Sequence, residues 1–397
     1  MTTTIEVPNR ARTYLKLGLL AAGLFLSGTN AFVIAGLLPN LADEFNSTEA
    51  SIGYSVTVYA LVIAVAAPAA SILLARVSRT TLIASGLVLM SAGTLITAIT
   101  SSVEIFTLGR AVAALGGAVL VPTATAAGPA LMPPQRAATA IAFITLGFSL
   151  ATAVGAPLGT ALGASFGWRA PFYIIAILAL ILAAVVALLV RGVPIPPSSP
   201  VLQRLRPLRD IRVDIGLITT LLLILGFNVV YLFSASVTSE ATGNSGSLLA
   251  ILLFVFGLGG VAGNLAAGPI TDRFSARTAL TVFLGIQAVV LILIAMIGRT
   301  FWVSIVLFAV WGATALAAPV PVQQRLATIN PPTAGLALSW FTSAQYLGIA
   351  LAPILAASAA GIGGAQLLPL VGAASLALAI LAFQWGFVAK RRNATSV

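Results

Sequence analysis

Charge all but vanishes from twelve long stretches of this chain, and that pattern limits the solvent in which it can fold. The apolar stretches lie at roughly 15–38, 51–75, 80–100, 104–131, 137–163, 170–191, 214–237, 246–271, 278–298, 302–324, 335–358 and 367–388. A helix needs about 20 apolar residues to cross the hydrocarbon of a bilayer, and each stretch reaches that length. In hydrocarbon the backbone must satisfy its own hydrogen bonds, so each stretch is expected to be helical. Only 7% of the 397 residues are charged and 59% are hydrophobic, against about 25% charged in a soluble domain. A core able to hide this much apolar surface from water would have almost no surface of its own. The expectation is an all-α membrane protein.

Several kinds of chemistry are excluded by what the chain lacks. It has no Cys and no His, which removes disulfides, thiolate nucleophiles, imidazole bases and the commonest zinc ligands. No phosphate-cradling GxxxxGK[ST] run is present, so no nucleotide-driven motor is expected. Neither a cofactor nor a metal is expected, and a membrane enzyme would need clustered acids or a nucleophile constellation that is not seen. A channel would need a polar or charged ring along its pore. The net charge of +11 suits orientation in a membrane better than binding to nucleic acid. The run from Leu15 to Leu38 has span length and no clear cleavage signal, so it is expected to be kept as the first helix.

Six stretches precede the segment Arg191–Asp214 and six follow it. That segment holds Pro194, Pro196, Pro197, Pro200 and Pro207, and five arginines against two aspartates; proline there breaks helices by removing an amide donor. It is expected to be a cytoplasmic linker at 192–213, between a six-helix bundle at 1–191 and another at 214–397. With both termini inside, 17 of the 20 basic residues fall on the cytoplasmic side, leaving Arg110, Arg169 and Arg299. That asymmetry fixes orientation, and the expected location is the cell inner membrane. The external loops carry Asp43, Glu44, Glu49, Glu104 and Glu240.

The halves repeat. Gly28-Thr29-Asn30 recurs as Gly226-Phe227-Asn228, Arg76 as Arg273, and Ala156-Pro157 as Ala352-Pro353, at offsets of 198, 197 and 196 residues. Parallel repeats of this kind place a binding site between the halves near the bilayer midplane, exposed to each side in turn.

Four motifs make the likeness specific. They are GTNAFVIAGLLPNLADEF in the first span, PAASILLARVSRTTL after the second, RAVAALGG from Arg110 in the fourth, and GFSLATAVGAPLGTALGASFGWR in the fifth and beyond. With these motifs the chain resembles a twelve-helix member of the major facilitator superfamily, in the drug- and sugar-efflux branch of arabinose-efflux-type permeases and chloramphenicol exporters. The resemblance implies two pseudo-symmetric six-helix bundles and a secondary active transporter working by alternating access. The implied cargo is a small neutral or amphipathic compound, exported with protons as counter-substrate, by a monomer in lipid. Efflux of a sugar or polyol, an uncoupled facilitator and a non-transporting sensor remain alternatives. The resemblance also makes Arg76, Arg79, Asp272, Arg273 and Arg277 a gating latch, although Ala75 stands where an aspartate is usual; simple orienting charge is the other reading.

Within the spans, Gly155, Gly159 and Gly163 recur every four residues, a smooth face for another helix, and Pro157 should bend that helix. Together these are expected to form a sliding seam between the halves, with packing inside one half as the alternative. Arg110 lies about 8–9 Å into the fourth span. A charge at that depth should face a wet cavity or a partner, unless it snorkels outward toward Glu104. Asn30 and Asn228 are symmetry mates offering amides to a common central space, either for substrate or as a helix clasp. Gln345, Tyr346 and Trp340 are expected beside them, with Asn264, Gln287 and Trp311 as further candidates. No acid lies deep in a span. A buried protonation switch thus has no visible carrier, and proton coupling stands on the resemblance alone, with Asp43 at the cavity mouth as a possible site.

Overall fold

In a computed structural model the described residues are 10–74, 76–132, 137–190, 206–330 and 334–388. The first span is Arg10–Phe32 continued by Ile34–Glu44, the second Glu49–Leu73, the third Arg79–Ile99 and the fourth Val103–Ala127. The fifth joins Ala137–Leu150 to Ala156–Phe166 through a π-helical turn at Ala151–Gly155, and the sixth is Arg169–Leu189. The seventh is Ile211–Tyr231. Phe301–Ala317 with Pro319–Ile329 makes the tenth, Ala334–Gly363 the eleventh and Leu367–Val388 the twelfth.

The helix Gly246–Ile297 counts 52 residues, which at 1.5 Å each would run about 78 Å, more than twice the roughly 30 Å of hydrocarbon. It is broken at Ser275, whose φ of 75° leaves the helical region. It therefore supplies the eighth and ninth spans, and eleven span-bearing helices become twelve crossings. The chain spans a membrane.

Helix starts are capped where the sequence offers an oxygen. Thr48 Oγ1 accepts from the Ser51 amide, Ser78 Oγ from Thr81, and Ser245 Oγ from Leu248; each satisfies an amide that has no partner within its helix. The fifth span leaves α-helical hydrogen bonding just before its proline. Pro157 has no N–H to give to the carbonyl four residues back, and the chain runs through the π turn just before it.

The glycine ladder of that span requires a correction. A Cβ on Gly155 would lie 2.0 Å from Thr29 Oγ1, one on Gly159 2.4 Å from Val33 Cγ2, and one on Gly163 2.3 Å from Leu37 Cδ2. All three partners belong to the first span, so the ladder seats the first and fifth spans inside one half rather than forming a seam between halves. The physical reason is matched spacing: Thr29, Val33 and Leu37 also recur every four residues, and their side chains fill the three gaps. Gly259 and Gly263 likewise face the backbone of Ala309 and Ala313 within the second half.

The close approach between halves lies elsewhere. A Cβ on Gly257 would stand 2.0 Å from Ala153 Cα, and one on Gly246 2.9 Å from Ala164 Cβ. Thr57 Oγ1 donates to the Ala350 carbonyl at 2.8 Å, and Ser236 Oγ donates to Glu49 Oε2. The Ser236–Glu49 and Gly246–Ala164 contacts lie at the end where Arg169 pairs with Glu44, and the Thr57–Ala350 and Gly257–Ala153 contacts lie between that end and mid-depth. There one apolar core is continuous from Ile34, Leu37, Ile52 and Phe106 through to Phe227, Val230 and Phe256. Nearer the other end, Leu17, Leu20, Ile63, Ile83, Leu120 and Val186 belong to a separate core of the first half.

Candidate functional site

Four spans of the first half meet at Arg110. The fourth span presents it from a stretch rich in Gly and Ala, where Gly93, Gly109 and Gly116 let the third and fourth backbones touch. Arg110 is fully buried, and its Nη1 donates to the Asn30 carbonyl at 2.6 Å and to Asn30 Oδ1 at 3.2 Å. Asn30 Nδ2 donates in turn to Thr94 Oγ1 at 3.1 Å, which itself donates to the Met90 carbonyl. The guanidinium carbon sits 4.2 Å from the centre of the Tyr59 ring, a cation–π contact. Glu104 is occupied by the Ser102 hydroxyl at the span end, so Arg110 turns inward and does not snorkel.

Tyr59 is the link to open space. One of its neighbours is a cavity of about 30 Å³ between the halves, lined by Ala31, Phe32 and Ala35 of the first span, Val56 and Tyr59 of the second, and Phe148 of the fifth. Asn228, Tyr231 and Leu232 of the second half, with Tyr346 and Ile349 of the eleventh span, close it. Tyr59 lies about 15 Å along the second span from Glu49, and Tyr346 about 18 Å along the eleventh from Ala334, near mid-depth in both. In this arrangement the cavity is well below the few hundred cubic ångströms of a typical ligand pocket. Its wall is apolar except for three phenols and one amide.

Asn228 reaches this cavity, but its Nδ2 donates to the Ile224 carbonyl of its own helix at 2.9 Å. Its sequence mate Asn30 is 1% exposed and engaged by Arg110 and Thr94. Of the two symmetric amides, only Asn228 lines the space. Tyr346 lines it too, whereas its neighbour Gln345 and Trp340, both half-buried, do not. Asn264 is exposed, and Gln287 is buried within the second half. Trp311 is fully buried among rings, 4.9 Å from Phe256, 5.2 Å from Phe308 and 5.9 Å from Phe227. Tyr231 joins that cluster at 5.2 Å from Phe256. Sequence reasoning missed Tyr59, Thr94, Tyr231 and the Phe32–Phe148 pair, since a lone aromatic or hydroxyl in an apolar helix has no periodic signal.

Among the described residues, the side chains expected to form a latch find partners in their own halves. Arg79 Nη1 donates to the Thr123 carbonyl, Asp272 accepts from Gln324 at 2.8 Å, and Arg277 donates to Gln384 at 2.5 Å. Arg273 lies over the Phe274 ring, and Arg76 is exposed. Ala75, Arg136, residues 191–205 and Lys390 to Arg392 lie outside the described residues.

Comparison with known proteins follows this architecture. The sequence model of the Major Facilitator Superfamily matches twice, over residues 20–238 and 216–396. The chain is 28% identical over 349 residues to the uncharacterized MFS-type transporter YbcL of Bacillus subtilis, covering 88% of each chain. It is 27% identical over 365 residues to the inner membrane transport protein YdhP of Escherichia coli K12, covering 91% of this chain and 93% of that one. Among solved structures it is similar to a bacterial homolog of the human lysosomal transporter Spinster, inward-facing and unoccupied. The TM-score is 0.77 at 18% identity, over 96% of this chain and 97% of that one. The nucleoside transporter NupG matches with a TM-score of 0.76 at 14% identity, over 94% and 100%. At these identities the structures speak for the fold alone. Two overlapping family matches together run from residue 20 to residue 396: this is a membrane transport protein rather than an enzyme, and it belongs to the major facilitator superfamily.

Proposed function

We propose that the chain is a secondary transporter that exports small neutral or amphipathic compounds by alternating access. Its units would be the bundles 1–191 and 214–397, joined through 192–213 and rocking about the cavity between Tyr59, Asn228, Tyr231 and Tyr346. The observation that carries this is where the halves touch: the Ser236–Glu49 hydrogen bond and the Gly246–Ala164 approach bring them together at one end, and an apolar core, the Thr57–Ala350 hydrogen bond and the Gly257–Ala153 approach carry the contact on toward mid-depth. At the other end the first half keeps a core of its own, and Asp272 pairs with Gln324 rather than with Arg76 or Arg79. Such an arrangement is one of the two states that alternating access needs. The basic residues gathered at the linker end support a cytoplasmic assignment for it, which makes this the state closed to the outside.

The lining supports an amphipathic cargo better than a sugar. Seven of the eleven lining residues are Ala, Val, Leu, Ile or Phe, and a polyol would leave most of its hydroxyls unpaired against them. Purified protein in liposomes, labelled at one introduced cysteine per end, tests the mechanism. Reagent access should alternate between the ends, and a solute that stabilises the protein should be carried across. Access confined to one end, with no solute moved by a protein that binds it, would refute the proposal.

A further inference from the structure

Arg110 is a fully buried cation, and among the described residues no carboxylate stands against it. Its Nε and Nη2 have no hydrogen-bond partner, and only Nη1 is taken up by Asn30. The Tyr59 ring compensates in part, but a ring face is a weaker partner than an anion. Acids are present elsewhere and are employed at the span ends: Glu44 with Arg169, Glu240 with Arg299, Asp210 with Arg212 and Asp272 with Gln324. A charge taken out of water is costly unless it is paired. A buried cation without a built-in partner therefore points to one that comes and goes.

The repeat sharpens the point. At the offset of 198 that relates Asn30 to Asn228, Arg110 becomes Phe308, and at 197 Tyr59 becomes Phe256. Where the first half holds a phenol and a guanidinium, the second holds two apolar rings packed on Trp311. The cavity thus has a cation behind its Tyr59 wall and an aromatic cluster behind its Tyr231 wall, with apolar side chains between.

We propose that the cargo is an organic monoanion with an apolar body, its charge serving as the counter-ion that Arg110 lacks and its body lying against Phe32 and Tyr231. This rests on the transport reading above and supplies it with a driving force. With no carboxylate deep in the spans to carry a proton, each full cycle moves one negative charge. A cell interior negative by about 100 mV expels such an anion to a gradient of roughly 50-fold without any proton.

The test uses the full chain and four probes: benzenesulfonate and naphthalenesulfonate as permanent monoanions, benzenesulfonamide as the neutral shape mimic, and sodium chloride. At least one sulfonate should raise the melting temperature, binding about tenfold or more tighter than the sulfonamide. Arg110→Gln should erase that preference and Arg110→Lys should keep part of it. In liposomes, a valinomycin–potassium potential, negative inside, should speed efflux of the bound sulfonate, with current in proportion to flux. Equal binding of the sulfonamide, stabilisation by chloride alone, or no response to either sulfonate would overturn the proposal. Arg110-dependent sulfonate binding without flux would instead sink the transport reading and leave the anion site standing. Movement of the sulfonamide but of neither sulfonate would do the reverse.

Discussion

Gly257 offers a direct handle on the balance between the two states. In the arrangement described, a methyl at this position would lie 2.0 Å from Ala153 Cα and 2.8 Å from both Ala153 N and Ala153 Cβ. Ordinary contact begins near 3.4 Å, so Gly257→Ala requires the eighth span to withdraw from the π turn of the fifth by about 1.4 Å. Forcing a methyl into packed surroundings costs about 1–3 kcal/mol. The contact joins the halves only where they are closed, so the penalty vanishes once they separate at that end. The equilibrium should then shift toward the state open at the far end by about 5- to 150-fold. Ala153→Gly should not rescue it, because the obstructing atoms include backbone.

The chain has no cysteine, so one introduced thiol reports without interference. Ala35, buried in the cavity wall, is replaced by Cys, and a membrane-impermeant thiol reagent is added from the far side. Its labelling rate should rise by about the same 5- to 150-fold in the Gly257→Ala background while the closed state predominates. Gly268→Ala is the control: it lies on the same helix with nothing within 4 Å of an added Cβ and should leave the rate unchanged. Equal rates in the two variants would refute the assignment of this contact as the closure between halves.

Other expectations follow from the same geometry. Gly147→Ala would set a methyl 2.0 Å from the Ala21 carbonyl oxygen inside the first half; it should lower thermal stability by about 1–3 kcal/mol without changing access to a cysteine at position 35. Trp311→Ala removes the hub of the aromatic cluster and should cost about 3 kcal/mol, near the low end for such a truncation, because an unfolded reference in lipid forfeits packing more than hydrophobic transfer. Asn30→Asp places a permanent partner beside Arg110; it should weaken sulfonate binding by about tenfold or more in a melting assay, while Asn228→Asp, where the native amide bonds the Ile224 carbonyl and not Arg110, should not reproduce the loss of an Arg110-dependent preference.

The twelve crossings were legible because a bilayer sets a minimum length, and charge at the boundaries marks where each crossing stops. The duplication was legible because its matches keep nearly one offset. What the sequence concealed was direction. Gly155, Gly159 and Gly163 announce a close approach but not the neighbour, and the answer lay in Thr29, Val33 and Leu37 sharing their spacing on the first span. Arg110 and Asn30 could be singled out as polar groups in apolar helices, yet only the fold shows that they hold each other and that Tyr59 separates them from the cavity.

The two amides carry the lesson furthest. Asn30 and Asn228 occupy matching positions, and from sequence they should face the cavity alike. They do not, because a helix position fixes where a side chain begins while its neighbours decide what it does. In the first half Arg110 and Thr94 claim the amide; in the second the corresponding positions, Phe308 and Leu291, are apolar, and Asn228 turns to its own Ile224 carbonyl and stays at the cavity wall. Two departures from the repeat, Tyr59 against Phe256 and Arg110 against Phe308, thus make unlike walls out of a duplicated backbone. Under the proposed mechanism the symmetric frame lets the halves rock, and the broken symmetry of the side chains gives the space between them a polarity that a cargo must match.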